Sequence, residues 1–332
     1  MKRILLMLAL ACASGGFFFH SHNHELCQGF VPENDLYISE FSFGKSGLTQ
    51  AEFDDILDLL EQVYEPEITA AGDTLVVNRL WSDGRVNASA IRQGTDVVIN
   101  MFGGLARHPA VTADGFTLVA CHELGHHLAG APKIDRGWFG SWASNEGQSD
   151  YYGTLKCFRK LFTFRDNQEW MQNNDVDPFV ESECNIVWQG YGERIACYRG
   201  SMAAMSIGKM FQDLRGQLNP PSYDTPDLIE VSATDDRHPN TQCRLDSYFQ
   251  GALCNQALNS KLSDSDYAEG TCTRKDGYVR GVRPLCWFKP TAVEDKKEKK
   301  PWWKRWWPWH QQLNQDLDLN QDLEDQQDGP YY

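Results

Sequence analysis

The sequence predicts an α+β fold, mostly helical, with a small antiparallel sheet just ahead of one buried helix. Three observations predict it. Residues 116–128 (Phe-Thr-Leu-Val-Ala-Cys-His-Glu-Leu-Gly-His-His-Leu) form an apolar run that reads as a buried helix. Residues 74–101 carry three β-rich stretches punctuated by Ser82-Asp83-Gly84 and Gln93-Gly94-Thr95. Helical spacing of apolar residues lies on both sides of this block, at 48–62 and after residue 146.

Composition sets the bounds. With 332 residues, 41% apolar and 23% charged, the chain has room for one sizeable core and appendages. A formal net charge of -15 argues against nucleic acid as a general partner. Residues 1–20 read as a signal peptide: Lys2 and Arg3, the apolar run Ile4–Leu10, then Ala11 and Ala13 at cleavage-site spacing. This implies export, to the medium or a periplasm. Cys12 offers a lipoprotein alternative, weakened because Ala9 rather than Leu stands three residues before it.

The domain proper is expected over 21–290. Its first helix, 48–62, carries Phe53, Ile56, Leu57 and Leu60 on one face, and Thr49 with Glu52 makes a capping box. Strands follow at 74–81, 86–91 and 97–101. In the buried helix, His122 and His126 stand one above the other, because a helix turns about 100° per residue. Two imidazoles so placed can each give a nitrogen to Zn²⁺, and Glu123 beside them is positioned as a general base. Burying these groups on a helix of Phe, Leu, Val and Ala would be costly without partners.

The third ligand is Glu146, twenty residues after His126, which leaves room for a turn and a return helix. Asp150, one helical turn on, can accept a hydrogen bond from a liganding histidine's second nitrogen. A third histidine ligand continuing from His126 is ruled out, since Ala129 and Pro132 occupy the positions where Gly and His would be needed. His127 points about 100° away from His126 and reads as a hydrogen-bonded neighbour.

Glu146-x-x-x-Asp150 after His122-Glu123-x-x-His126 resembles the gluzincins, the thermolysin-like group of zinc peptidases with a zincin-like fold. Within them it is most similar to the CAAX-prenyl-protease-like family, some of whose members are small, soluble and exported. The likeness runs from about Asn87 to Arg244 and includes Asn87-Ala88-Ser89-Ala90, the stretch 96–105, and His238-Pro239 with Arg244. It implies that a substrate peptide adds to a free sheet edge near the metal, a role that by position falls to Val97–Met101. It also implies that His238 lies near the metal, donating to an oxyanion or blocking the open position. The alternative for His238 is a cap on the helix that begins after Pro239.

Pro132–Trp142 is expected as a loop overhanging the cleft, Glu146 to about Leu161 as a helix, and 164–190 as polar and irregular. A helix from about Glu193 to Leu214 places Met202, Met205 and Met210 in the core. The last helix is expected at about 240–258, and residues 270–288 as a cysteine-stapled hairpin. Cys121 reads as a free buried thiol, and Cys184–Cys197 and Cys272–Cys286 as the simplest local pairs.

Residues 291–332 read as a disordered tail. A basic, tryptophan-rich segment (296–310) precedes an acidic repeat (313–328). The former suits contact with an anionic membrane surface, and the latter could mask it. The function expected is an exported zinc endopeptidase acting on proteins or peptides. The alternatives are a non-catalytic, zinc-stabilised binding protein working through its tail, and a zinc amidase acting on cell wall.

Overall fold

The structure, a computed structural model, describes residues 29–42, 47–135, 141–165 and 167–290. The stretches read as a signal peptide and as a disordered tail, and the middle of the loop before Trp142, lie outside the described residues.

Helix α1 (Gln50–Ala70) begins at Thr49, whose hydroxyl accepts from the Glu52 amide while Glu52 reaches back. It buries Phe53, Leu57, Leu60, Tyr64 and Ile68, so the apolar stripe runs on past residue 62 and carries the helix through Pro66. Three strands follow: β1 (Thr74–Leu80), β2 (Ala88–Gln93) and β3 (Asp96–Phe102).

The sheet order is β1-β3-β2, with β1 parallel and β2 antiparallel to β3. The sheet is therefore mixed, and the expectation of an all-antiparallel sheet is corrected. Residues 81–87 carry the chain over the end of β3 before β2 descends. A hairpin at Gly94, whose φ of 61° favours glycine, then sends β3 back up the middle. Gly103 and Gly104 make the crossing possible: a Cβ on Gly103 would stand 1.8 Å from the Trp81 carbonyl, and one on Gly104 2.0 Å from that of Gly84. This topology also overturns the assignment of a free edge to Val97–Met101. That strand is paired on both sides, and the edges are β1 and β2.

The short helix α2 (Gly103–Ala106) leads to α3 (Ala113–Leu128), capped by Thr112 accepting from the Gly115 amide. Every residue from Gly115 to His126 is buried, because the helix is wrapped by α1, the sheet and the helices that follow. Asn145 caps α4 (Glu146–Tyr152), which continues as a π-helical turn (Gly153–Phe158) and α5 (Arg159–Phe162).

The stretch expected to be irregular contains α6 (Gln168–Asn173) and α7 (Pro178–Val187). Helix α8 (Tyr191–Arg215) ends at Gly216 in the left-handed region, and α9 (Thr241–Ala252) begins at the Asn240 cap. Helix α9 stops six residues before the expected Leu258. Residues 270–288 form no hairpin; an isolated parallel bridge joins Cys272 and Val282.

The eight described cysteines form four disulfides. Cys184–Cys197 is as expected. Cys121 is bonded to Cys157 rather than free, and Cys272 pairs with Cys254 while Cys286 pairs with Cys243. These bonds tie α3 to the π-helical turn and the irregular C-terminal stretch to α9. Among the described residues no helix is long and apolar enough to cross a membrane.

Candidate metal centre

Helices α3 and α4 bring three donor side chains together. His122, His126 and Glu146 are buried, and one ligand atom of each falls within 4.8 Å of the others. His122 Nε2 lies 3.3 Å from Glu146 Oε2, and His126 Nε2 lies 3.6 Å from Glu146 Oε1. Both Nε2 atoms and Glu146 Oε2 are buried without a hydrogen-bond partner. Unpaired buried polar atoms are uncommon, and three converging on one point fit a cation held between them.

The outer nitrogens are all engaged. His126 Nδ1 donates to the Ser144 carbonyl at 2.9 Å, with Ser149 Oγ 3.1 Å from the same nitrogen. His122 Nδ1 stands 2.7 Å from Asp150 Oδ1, where the sequence reading put that carboxylate. Each proton is thereby held on Nδ1, leaving the Nε2 lone pair for a ligand bond. Asp150 is gripped in turn by Arg244, whose Nε and Nη2 each donate across 2.8 Å to one carboxylate oxygen. Arg244 is fully buried, and its guanidinium lies 4.5 Å from the Phe30 ring centroid and 4.4 Å from that of Phe211.

Charge follows from burial and these contacts. Burial alone would lower His122, but Asp150, with Glu146, outweighs it and raises its pKa to about 9. Burial lowers His126 to about 4 and His127 to about 3. Against burial, His238, His126 and His122 hold Glu146 well below the usual carboxylate range. Burial also lowers His238. Glu123 is fully buried, neither of its oxygens has a partner, and burial raises it to about 8.

His238 does not cap α9, which Asn240 does by accepting from the Cys243 amide. Instead its Nε2 donates to the Gly29 carbonyl at 2.8 Å and lies 3.4 Å from Glu146 Oε2. His127 is not among the donors: its Nε2 faces the Val98 carbonyl at 3.3 Å and its ring stacks on Trp142.

The sequence reading missed the part played by residues 29–31, which enter the site from the far end of the chain. Phe30 is fully buried, with its ring edge-on to His122 at 4.9 Å. No periodicity marks so short a segment, and its neighbours become evident only in three dimensions.

A second candidate group, Asp227 with Cys243 and Cys286, is disqualified because those cysteines form a disulfide. Compared with known protein families, curated proteins and solved structures, the chain matches none.

Proposed function

We propose that this protein is an exported zinc-dependent endopeptidase, with zinc held by His122, His126 and Glu146. The observation that carries the reading is the set of buried, unpartnered atoms: His122 Nε2, His126 Nε2, Glu146 Oε2 and both oxygens of Glu123. Two imidazoles and a carboxylate suit zinc, and tetrahedral bonds of ~2.0–2.1 Å imply donor separations of about 3.3 Å. The 3.3 and 3.6 Å separations observed are close to that. When bound, zinc supplies Lewis acidity that lowers the pKa of a water and polarises a carbonyl.

The remaining work falls to the chain. Glu123 takes a proton at a carboxylate oxygen from the attacking water and delivers it to the leaving nitrogen. His238 donates from Nε2 to the carbonyl oxygen as charge builds there. Asp150 and Arg244 hold the His122 ring in place, and the apolar surround excludes competing water.

Four disulfides among the described residues favour an oxidising compartment, which supports export. The binding-protein alternative leaves Glu123 unexplained, since a purely structural site needs no second buried carboxylate without partners. The cell-wall alternative uses the same chemistry and differs in substrate.

The test is a peptide library read by mass spectrometry, with zinc, with chelator, and with Glu123→Gln. Cleavage should vanish with chelator and fall at least ~10³-fold in the variant, about 4 kcal/mol in barrier, with metal content unchanged. A Glu123→Gln protein that cleaves like the wild type would refute the mechanism.

A further inference from the structure

Residues 29–31 lie against the candidate metal centre as a bent segment, and every main-chain group from the Gly29 carbonyl to the Val31 carbonyl is met by the protein. The Gly29 carbonyl accepts from His238 Nε2 at 2.8 Å, and that same nitrogen is 3.4 Å from Glu146 Oε2. The Phe30 amide donates to the Ala88 carbonyl at 2.8 Å, at the start of edge strand β2. The Phe30 carbonyl accepts from Arg244 Nη1 at 2.6 Å. Asn87 clasps Val31 on both sides, accepting from its amide and donating to its carbonyl, each at 3.1 Å. The Phe30 side chain fills a closed pocket against His122, Phe211 and the Arg244 guanidinium. Gly29 has φ +83°, and a Cβ there would come within 2.8 Å of the Asn87 amide group.

A segment that donates to a sheet edge, buries one side chain and places a carbonyl on the histidine beside Glu146 is held through the groups by which a substrate peptide would be held. Resting on the peptidase reading, we propose that Gly29–Phe30 is an internal substrate bond, cut in cis to leave Phe30 as the N-terminus. The bond broken is Gly29 C–Phe30 N. Water supplies the new oxygen on the Gly29 carbonyl carbon, one of its protons passes through Glu123 to the Phe30 nitrogen, the second follows to the same nitrogen, and the products are a carboxylate and an ammonium group. The new amine stays on the Ala88 carbonyl and Phe30 stays in its pocket, so the cut leaves the rest of the fold in place. The same contacts define the preferred external substrate: glycine before the bond and a bulky aromatic after it.

The test uses the full chain purified with chelator. Zinc is then added to wild type and to Glu123→Gln, the intact mass is followed, and the same samples are assayed on a peptide library. The expected result is a wild-type product beginning at Phe30, formed at a rate unchanged by tenfold dilution, and no such product from Glu123→Gln. Gly29→Val should slow the cut at least 100-fold by forcing the segment off Asn87. Independently of turnover, amide exchange in metal-free Glu123→Gln should be slow at Phe30 and Val31. Exchange should be at least tenfold faster when Asn87→Ala is added.

A wild type that cleaves library peptides through Glu123 but keeps an N-terminus upstream of Phe30 would overturn the internal-substrate proposal and leave the peptidase reading standing. So would a Phe30 N-terminus in Glu123→Gln, a cut that accelerates with concentration, or fast exchange at both amides in the parent. No cleavage of library or self would end both readings.

Discussion

The two sides of helix α4 bury polar groups in opposite ways. On one side Gln148 accepts from Arg283 Nε at 2.7 Å and donates to the Ala129 carbonyl at 2.7 Å. Arg283, itself buried, also donates to Thr271 Oγ1 and the Ala131 carbonyl, and lies near the Tyr151 and Phe288 rings. On the other side, Glu146 faces two imidazole nitrogens and none of the three atoms Glu146 Oε2, His122 Nε2 and His126 Nε2 is satisfied. The first arrangement is complete as folded. The second has its missing partner in common, which is what distinguishes a site from a core.

That contrast can be broken from the satisfied side. Arg283→Met should cost about 3 kcal/mol, because Gln148 and Thr271 lose a buried partner. Turnover per folded molecule should stay within about twofold. Urea titration with a matched activity assay checks both, and a large fall in turnover without lost stability would mean that the two sides of α4 are not independent.

Asp150→Asn sharpens the contrast by loosening the outer support of His122 and weakening the buried pair with Arg244 that holds it. Zinc affinity, measured by competition with a chromophoric chelator, should drop about 10–100-fold, or about 1.4–2.8 kcal/mol. An unchanged affinity would mean that His122 needs no orienting carboxylate.

The smallest effect expected comes from Asp246, a buried acid that is partnered by the Asp227 amide at 2.7 Å and Gln242 Nε2 at 2.8 Å. Burial raises its pKa to about 7. The folded state therefore holds a proton that the unfolded chain has released above about pH 4. Its contribution to stability is full below that pH and is lost as pH rises through about 7. Wild type should lose about 1 kcal/mol between pH 6 and 8 that Asp246→Asn does not lose. Parallel stability curves for the two proteins would show that Asp246 is ionised in the fold.

What the sequence made legible follows from what periodicity encodes. His122 and His126 were readable because a fixed turn per residue fixes which side chains share a face. Glu146 and Asp150 were readable from the same rule plus a chain length sufficient for return. Strand alternation gives faces but not neighbours, so the central place of β3 and the parallel β1 could not be read from it. The Gly103-Gly104 pair under the crossing was the available hint. Helix α7 had a start signal in Asp177-Pro178, since Asp177 accepts from the Phe179 and Val180 amides, but its polar surroundings hid it. Cys121 looked free because its partner, Cys157, lies 36 residues away on another helix. Arg244 and Phe30 act over more than two hundred residues of chain, a distance at which no local pattern operates.

The Cys121–Cys157 bond joins the residue next to His122 to the helical run that Glu146 begins. Before any ion arrives, the carboxylate and the two imidazoles already belong to one closed covalent loop. Closing such a loop beforehand raises the effective concentration of the third ligand toward the other two. An incoming ion then acts as the second cross-link between helices already joined by the first, and its affinity is not spent on finding them. Formation of this bond would thus set the order of assembly: chain first sealed, then metallated, with a reduced chain left as a poor competitor for metal.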